Sequence, residues 1–147
     1  DFIAYKRKTI YFFDNFPDIS PFSAINYGGA LYFSGDILSI RWSNFYGNAA
    51  YNGAAIYLTE EYVSFSNSVA LFINCFFGFH DAMSDSGILY VTNPLIAFKI
   101  YWMSCIFEGN YAYNGGIMSS NYYCELIFDE CFFLNNTSNL TPIILLS

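Results

Sequence analysis

A four-residue pattern, Phe-x-x-Asn, recurs along this chain of 147 residues and constrains its fold more than any other feature. Successive copies begin 26 to 33 residues apart, and the third copy has His in place of Asn. The copies occupy residues 12–15, 45–48, 77–80, 107–110 and 133–136. Self-similarity at a period of about 20–50 residues is typical of solenoids and other repeat architectures. The chain is therefore expected to stack similar units.

A second motif alternates with the first and consists of small residues followed by an apolar residue, at residues 28–31, 53–56, 86–89 and 115–118. Between the motifs lie short segments rich in β-branched and aromatic residues, bounded by Gly, Asn and Pro, which is typical of strands. No segment shows the apolar periodicity of an amphipathic helix. The sequence predicts an all-β fold, namely a right-handed, single-stranded parallel β-helix of about five rungs.

Equivalent residues of successive rungs in a parallel β-helix stack about 4.8 Å apart and form ladders. The first motif predicts an inward phenylalanine ladder of Phe12, Phe45, Phe77, Phe107 and Phe133. It also predicts a polar ladder at a turn, made of Asn15, Asn48, His80, Asn110 and Asn136. Side-chain amides in such a ladder bond to each other and to turn backbone groups. His80 is interpreted as a substitute hydrogen-bonding group rather than as a base or a metal ligand.

Three of the four cysteines, Cys75, Cys105 and Cys131, precede the ladder phenylalanine by two residues and share one column. Neighbouring rungs lie near the Cα separation that a disulfide needs, so Cys105 and Cys131 form a candidate pair. Buried free thiols that pack as small hydrophobic groups are an equally good interpretation. The fourth cysteine, Cys124, aligns with Phe98 in another column. Because the cysteines form no C-x-x-C pair and the chain has one His, we predict no metal site and no cofactor.

Three overlapping or adjacent N-x-S/T sequons lie within residues 135–141 and indicate an extracellular or cell-surface glycoprotein. Asn136 is assigned to the polar ladder, so we expect Asn135 and Asn139 to carry any glycan. No signal peptide is visible, and no apolar stretch approaches the roughly 20 residues of a membrane helix.

The net charge of −7 disfavours nucleic acid as a partner, because nucleic-acid binders present basic surfaces. The acidic residues are scattered and do not form the clustered carboxylates that polysaccharide lyases and hydrolases need. We therefore predict no catalytic residue and no enzymatic activity. A polysaccharide-binding or polysaccharide-cleaving β-helix is the alternative. Tyrosines near the turns can stack on sugar rings or pack against another protein, namely Tyr27, Tyr46, Tyr51, Tyr111 and Tyr113.

The combination of Gly-Gly-Ala-(Ile/Leu) with Cys-x-Phe-x-x-Asn resembles the chlamydial polymorphic outer membrane proteins and related pectin-lyase-like surface proteins. The residues that carry the resemblance are 28–31, 75–77, 105–110, 115–117 and 131–136. It implies a right-handed parallel β-helix that is displayed outside the cell and used for adhesion rather than catalysis. The chain departs from the pattern at Ser86-Gly87, at Gly53-Ala54 and at His80.

The last segment is an apolar strand without charge, and it resembles the start of a further rung. Edge strands of this kind pair readily with another strand unless they are covered. We expect Ile143, Ile144, Leu145 and Leu146 to contact another copy of the chain or further rungs of the same chain. Residues 1–147 are thus predicted to form one β-helix domain, a fragment or subunit of a longer surface fibre, filament or coat.

Overall fold

The computed structural model describes residues 9–12, 23–27, 29–35, 37–59, 68–92, 98–114, 116, 118–120, 124–140 and 144–146. Within these ranges the regular secondary structure consists of β-strands, and no helix occurs. Neighbouring strands of every sheet run parallel, and each strand pairs with its equivalents on adjacent rungs. The prediction of an all-β parallel β-helix is confirmed.

The described strands form five rungs. The first rung contains β1 (Thr9–Phe12), β2 (Ser23–Tyr27) and β3 (Leu31–Ser34). The second contains β4 (Ile37–Arg41), β5 (Asn44–Tyr46), β6 (Ala49–Asn52) and β7 (Ile56–Thr59). The third contains β8 (Ser68–Ile73), β9 (Phe76–Gly78), β10 (Asp81–Asp85) and β11 (Leu89–Thr92). The fourth contains β12 (Phe98–Met103), β13 (Ile106–Glu108), β14 (Tyr111–Asn114) and β15 (Met118–Ser120), and the fifth contains β16 (Cys124–Asp129), β17 (Phe132–Leu134), β18 (Thr137–Ser138) and β19 (Ile144–Leu146).

Four parallel sheets run along the stack, one on each face of the solenoid. The first sheet has the order β1-β4-β8-β12-β16, and the second has the order β5-β9-β13-β17. The third has the order β2-β6-β10-β14-β18, and the fourth has the order β3-β7-β11-β15-β19. The expected number of rungs is therefore also confirmed in the described part of the chain.

Single residues in the left-handed conformation turn the chain from the first sheet to the second and from the second to the third. The first corner uses Trp42, Asn74, Ser104 and Glu130, with φ between 46° and 52°. The second corner uses Gly47, Phe79, Gly109 and Asn135, with φ between 54° and 64°. Backbone hydrogen bonds continue through both corners, because each corner N–H in the second to fourth rungs donates to a carbonyl of the next rung, at 2.8–2.9 Å. This repeated inter-rung hydrogen bonding helps residues other than glycine to hold a conformation that costs them roughly 1–2 kcal/mol.

The core lies between the sheets and is made of the inward residues of the second, third and fourth rungs together with Phe33 of the first. Phe72, Phe77, Ile100, Trp102 and Phe107 are completely buried. Where the third sheet approaches the interior, the inward residues are small, namely Ala50, Ala82 and Ala112. Large side chains thus fill the interior along the other sheets and alanines line the third sheet, so the inward positions are committed to packing.

Candidate functional site

The structure brings four of the five predicted phenylalanines into one inward ladder. Phe45, Phe77, Phe107 and Phe133 occupy equivalent positions in the second sheet. Successive rings are stacked and nearly parallel, with centroids 4.7, 5.6 and 4.7 Å apart. Stacked rings at this spacing add to the stabilisation that burial alone provides.

The prediction that Phe12 belongs to this ladder is wrong. Phe12 pairs with Ile40 and so lies in the first sheet, one sheet away from Phe45. The first Phe-x-x-Asn copy begins at the last residue of the first-sheet strand 9–12, whereas the other copies begin in the second sheet. Asn15, the corresponding member of the polar ladder, lies outside the described residues.

A second aromatic column, which the repeat pattern did not single out, stands beside the phenylalanine ladder. Phe72, Trp102 and Phe128 stack along the first sheet, with centroids 4.1 and 6.5 Å apart. Each ring meets the phenylalanine of its own rung edge-on, as in the pair Trp102–Phe107 at 5.2 Å and 77°. The signal for it in the sequence is an aromatic residue three positions before Cys in three successive rungs.

The polar ladder joins neighbouring rungs through backbone groups. The Asn110 N–H donates to Asn136 Oδ1 at 3.0 Å, and the His80 N–H donates to Asn110 Oδ1 at 3.1 Å. The Asn110 and Asn136 amides also donate to the Phe77 and Phe107 carbonyls, at 3.0 and 2.9 Å. Each amide thus satisfies a donor and an acceptor that the corner leaves unpaired.

His80 occupies the third-rung position of this ladder. Its Nδ1 accepts the Asn48 N–H at 3.0 Å, which is the role that the amide oxygen has in the other rungs. Among the described residues, its buried Nε2 has no partner in hydrogen-bonding geometry. Burial lowers the pKa of His80 to about 3, because a charged imidazole loses its hydration there. A neutral, fully enclosed imidazole acts here as part of the turn.

All four cysteines are free thiols, so of the two alternatives the bridge between Cys105 and Cys131 is not formed and the free-thiol interpretation agrees with the structure. The shared column exists, but its thiols point to backbone carbonyls. Cys75, Cys105 and Cys131 donate to the carbonyls of Ile40, Phe72 and Trp102 on the preceding rung, at 3.3–3.6 Å. Ser43 holds the same column position on the second rung and donates to the Arg41 carbonyl at 2.8 Å. A small donor follows the first corner on each of these rungs.

Two of the thiols, Cys105 and Cys124, have little nucleophilic character, whereas a hydrogen bond with Cys105 lowers the pKa of Cys75. A hydrogen bond with the Cys75 thiol, together with burial, raises the pKa of Cys105. Burial raises the pKa of Cys124 to about 12, and Cys124 pairs with Phe98 as the sequence predicted. Because the thiolate is the reactive form, Cys105 and Cys124 stay protonated and inert at neutral pH.

The sequons lie at the second corner and beyond it on the fifth rung. Asn135 is an exposed corner residue, and Asn139 is exposed with its Nδ2 donating to Tyr111 Oη at 2.7 Å. The amide of Asn136 is occupied on both sides by the ladder. Asn135 and Asn139 are thus the solvent-exposed sequon residues, whereas Asn136 is partly buried.

The fifth rung leaves the interior of the solenoid open. Phe133 is 37% exposed, whereas Phe107, directly above it in the ladder, is completely buried. Leu126 and Phe128 are only partly buried, although the equivalent residues of the fourth rung, Ile100 and Trp102, are completely buried. Ladder positions that are dry elsewhere thus face solvent at this end.

The four strands of the fifth rung also have one edge each without a described partner, since β16, β17, β18 and β19 stand last in their sheets. Ile144, Leu145 and Leu146 form β19, which pairs with β15, and Ile144 is partly buried. Ile143 lies outside the described residues. The end therefore combines free backbone groups with apolar side chains, and the predicted contact residues border it.

Four of the five predicted turn tyrosines are at least partly exposed. Tyr46, Tyr51 and Tyr113 are about half exposed, and Tyr111 is partly exposed. On the fourth sheet, Tyr32, Tyr57 and Tyr90 form a further ladder with centroids 5.2 and 5.6 Å apart, but Tyr57 and Tyr90 are buried and only Tyr32 is exposed. Tyr27 lies in β2.

Carboxylates do not converge in the described part of the chain. Within it, no group of three or more His, Cys, Asp or Glu side chains can hold a metal ion. Asp129 and Glu130, adjacent in sequence, are exposed at the first corner, and Glu125 is engaged with Lys99 at 2.9 Å. Among the residues described, no helix has the length and apolar character needed to cross a membrane.

Comparison with known proteins gives no relative. No protein-family model, curated protein or solved structure matches the chain.

Proposed function

We propose that this protein is an extracellular structural or adhesive β-solenoid, part of a surface fibre, filament or coat, which associates end to end. The observation that carries the proposal is the open fifth rung. Its ladder ring Phe133 is 37% exposed, although the equivalent rings of the preceding rungs are buried. A solenoid that ends in solvent would normally cover such a position with polar residues, since terminal repeats are capping repeats.

Another parallel rung is the partner that fits this end. It would pair with the free edges of β16 to β19 and continue the stack. It would also cover Phe128 and Phe133, and burial of apolar surface is worth about 25 cal/mol per Å². The rung can belong to another copy of the chain or to a further part of the same protein.

Three features support a location outside the cell and a role without catalysis. The accessible sequon residues Asn135 and Asn139 suit a secreted or surface glycoprotein. The resemblance to pectin-lyase-like surface proteins points the same way. The carboxylates of the described residues are dispersed rather than paired, which favours a structural role over an enzymatic one.

The test is association as a function of concentration, measured by sedimentation velocity. Phe133→Lys places a charge at the open end, where the long side chain can reach water without unfolding the rung. Tyr51→Lys is the matched control, because Tyr51 is 52% exposed on the third sheet, away from the end. We expect Phe133→Lys to abolish end-to-end assembly and Tyr51→Lys to retain it. A wild-type chain that stays monomeric at high concentration would contradict end-to-end association.

Polysaccharide binding is a second candidate, supported by a row of exposed side chains on the third sheet. Tyr51, Met83 and Tyr113 are 52%, 70% and 49% exposed. Exposed aromatic faces stack on sugar rings. Affinity electrophoresis in gels containing polysaccharide tests this candidate. We expect the wild type to be retarded in such gels and Tyr113→Ala to lose the retardation.

A further inference from the structure

The outer face of the first sheet is unusually apolar for a surface. In β8 the outward residues are Val69, Leu71 and Ile73, since Ala70 and Phe72 are the buried, inward ones. Strands with one face in water normally alternate apolar and polar residues. The outward apolar positions continue on the neighbouring rungs, with Ile37, Tyr101, Met103 and Ile127, and are interrupted on the second rung by Ser39, which is polar and buried. We call the seven apolar residues the apolar face.

Charged residues flank the apolar face in a definite pattern. Along one border, Lys99 and Glu125 stand on adjacent rungs and neutralise each other at 2.9 Å. Along the other border, Arg41 begins a column that continues through Ile73 and Met103 and ends at Asp129. Arg41 and Asp129 are three rungs apart, roughly 14 Å, so they cannot pair within one chain. Among the described residues, neither takes part in a salt bridge.

We propose that the apolar face binds the same face of a second copy, with the two stacks antiparallel. A two-fold axis parallel to the strands and passing between β8 and β12 produces this arrangement. Rotation about this axis reverses the order of the rungs. Each column of residues therefore faces the same column of the second copy in reverse order, as an isologous interface requires. Leu71 then faces Tyr101 of the second copy, and Ile73 faces its Met103. Arg41 faces Asp129 of the second copy, and this pair occurs twice.

The charges select this arrangement over the parallel one. A two-fold axis along the stack would place each rung against the same rung of the second copy and exchange the two borders. Asp129 would then face Glu125 of the second copy, which brings like charges together at two places. Like-charge contacts across an interface oppose the wrong orientation. The antiparallel arrangement has two opposite-charge contacts instead.

The contact is small, and its strength follows from its size. Four rungs with strands of five residues give a flat footprint of roughly 300 Å² per copy. Such an interface belongs to the weak class. This lateral contact goes beyond end-to-end assembly, and in a fibre it would be repeated along the length, so that many weak contacts act together.

Charge reversal tests the pairing directly. In Arg41→Glu both predicted pairs become acidic, and in Asp129→Arg both become basic, so each variant should self-associate about tenfold or more weakly than the wild type. The double variant should recover wild-type association. An equimolar mixture of the two single variants should also associate, because each contact between them joins opposite charges. Asp81→Arg, an exposed reversal on the third sheet, is the matched control and should change nothing.

The measurement is energy transfer between copies labelled with donor and acceptor, combined with sedimentation and a circular dichroism check of the fold. Carrying Phe133→Lys in every variant removes the end contact, so failure of lateral association and failure of end-to-end association are distinguishable. Recovery in the double variant and in the mixture supports the antiparallel contact. Equal association of all variants, or no association in any, overturns it.

Discussion

Replacing His80 by Asn should make the stability of the fold less dependent on pH. In the folded chain the pKa of His80 is about 3, whereas an unfolded chain has a histidine pKa of 6.5. Between these values the unfolded state takes up a proton that the folded state excludes, so acid favours unfolding. At about pH 4.5 the difference amounts to about 2–3 kcal/mol. This stability is present above pH 6.5 and is lost as the pH falls towards 3.

Asparagine has no titratable side chain, but it can form the hydrogen bonds that this ladder position requires. Its Oδ1 can accept the Asn48 N–H in place of Nδ1, and its Nδ2 can donate to the Phe45 carbonyl, as Asn110 donates to the Phe77 carbonyl. Wild type and His80→Asn therefore should have similar free energies of unfolding at about pH 7.5 and differ by about 2–3 kcal/mol at about pH 4.5.

The assay is urea unfolding followed by tryptophan fluorescence at the two pH values. Carboxylates titrate in both proteins, so the difference between them isolates the imidazole. Asn110→His is the reciprocal variant and should add a comparable loss of stability in acid. If His80→Asn loses as much stability as the wild type on acidification, the imidazole is not held neutral in the ladder, and the reasoning fails.

Three further predictions follow from burial and hydrogen bonding. Phe77→Ala should lower the free energy of unfolding by about 3–5 kcal/mol, and Phe133→Ala by clearly less, because Phe77 is completely buried and Phe133 is 37% exposed. Equal losses of stability in urea unfolding would contradict an open end. Cys105 and Cys124 should react with a thiol reagent far more slowly in the folded chain than in urea, because their raised pKa values keep them protonated; mass mapping that finds both modified at the unfolded rate would refute this. After expression through a secretory pathway, peptide mass mapping should find glycan at Asn135 or Asn139, and glycan at Asn136 would mean that its ladder amide is free.

The architecture could be predicted from the sequence because each rung repeats the same short pattern of residues. A small polar or thiol residue, an inward phenylalanine and an amide recur at fixed distances, and these distances are set by the two corners. Those corners could not be located from the sequence, because Trp42, Phe79 and Glu130 occupy left-handed positions where glycine or asparagine would be expected.

The other differences arise from features that a column alignment does not contain. Phe12 fits the motif but pairs with Ile40, since register depends on the whole strand and not on four residues. A shared column brings Cys105 and Cys131 close, but it does not decide whether thiols face each other or a carbonyl. The apolar face could not be predicted either, because the sequence alone does not show whether an apolar residue of a strand points into the core or to the outer face.

End-to-end association is tested most directly by hydrogen–deuterium exchange as a function of protein concentration. Pairing with another rung would protect backbone N–H groups at the free edges of β16 and β17, whereas a contact between side faces makes no backbone hydrogen bonds. The account predicts that peptides covering residues 124–134 exchange more slowly as concentration rises, while peptides covering residues 68–78 do not change. Oligomers that form without added protection at residues 124–134 would contradict it.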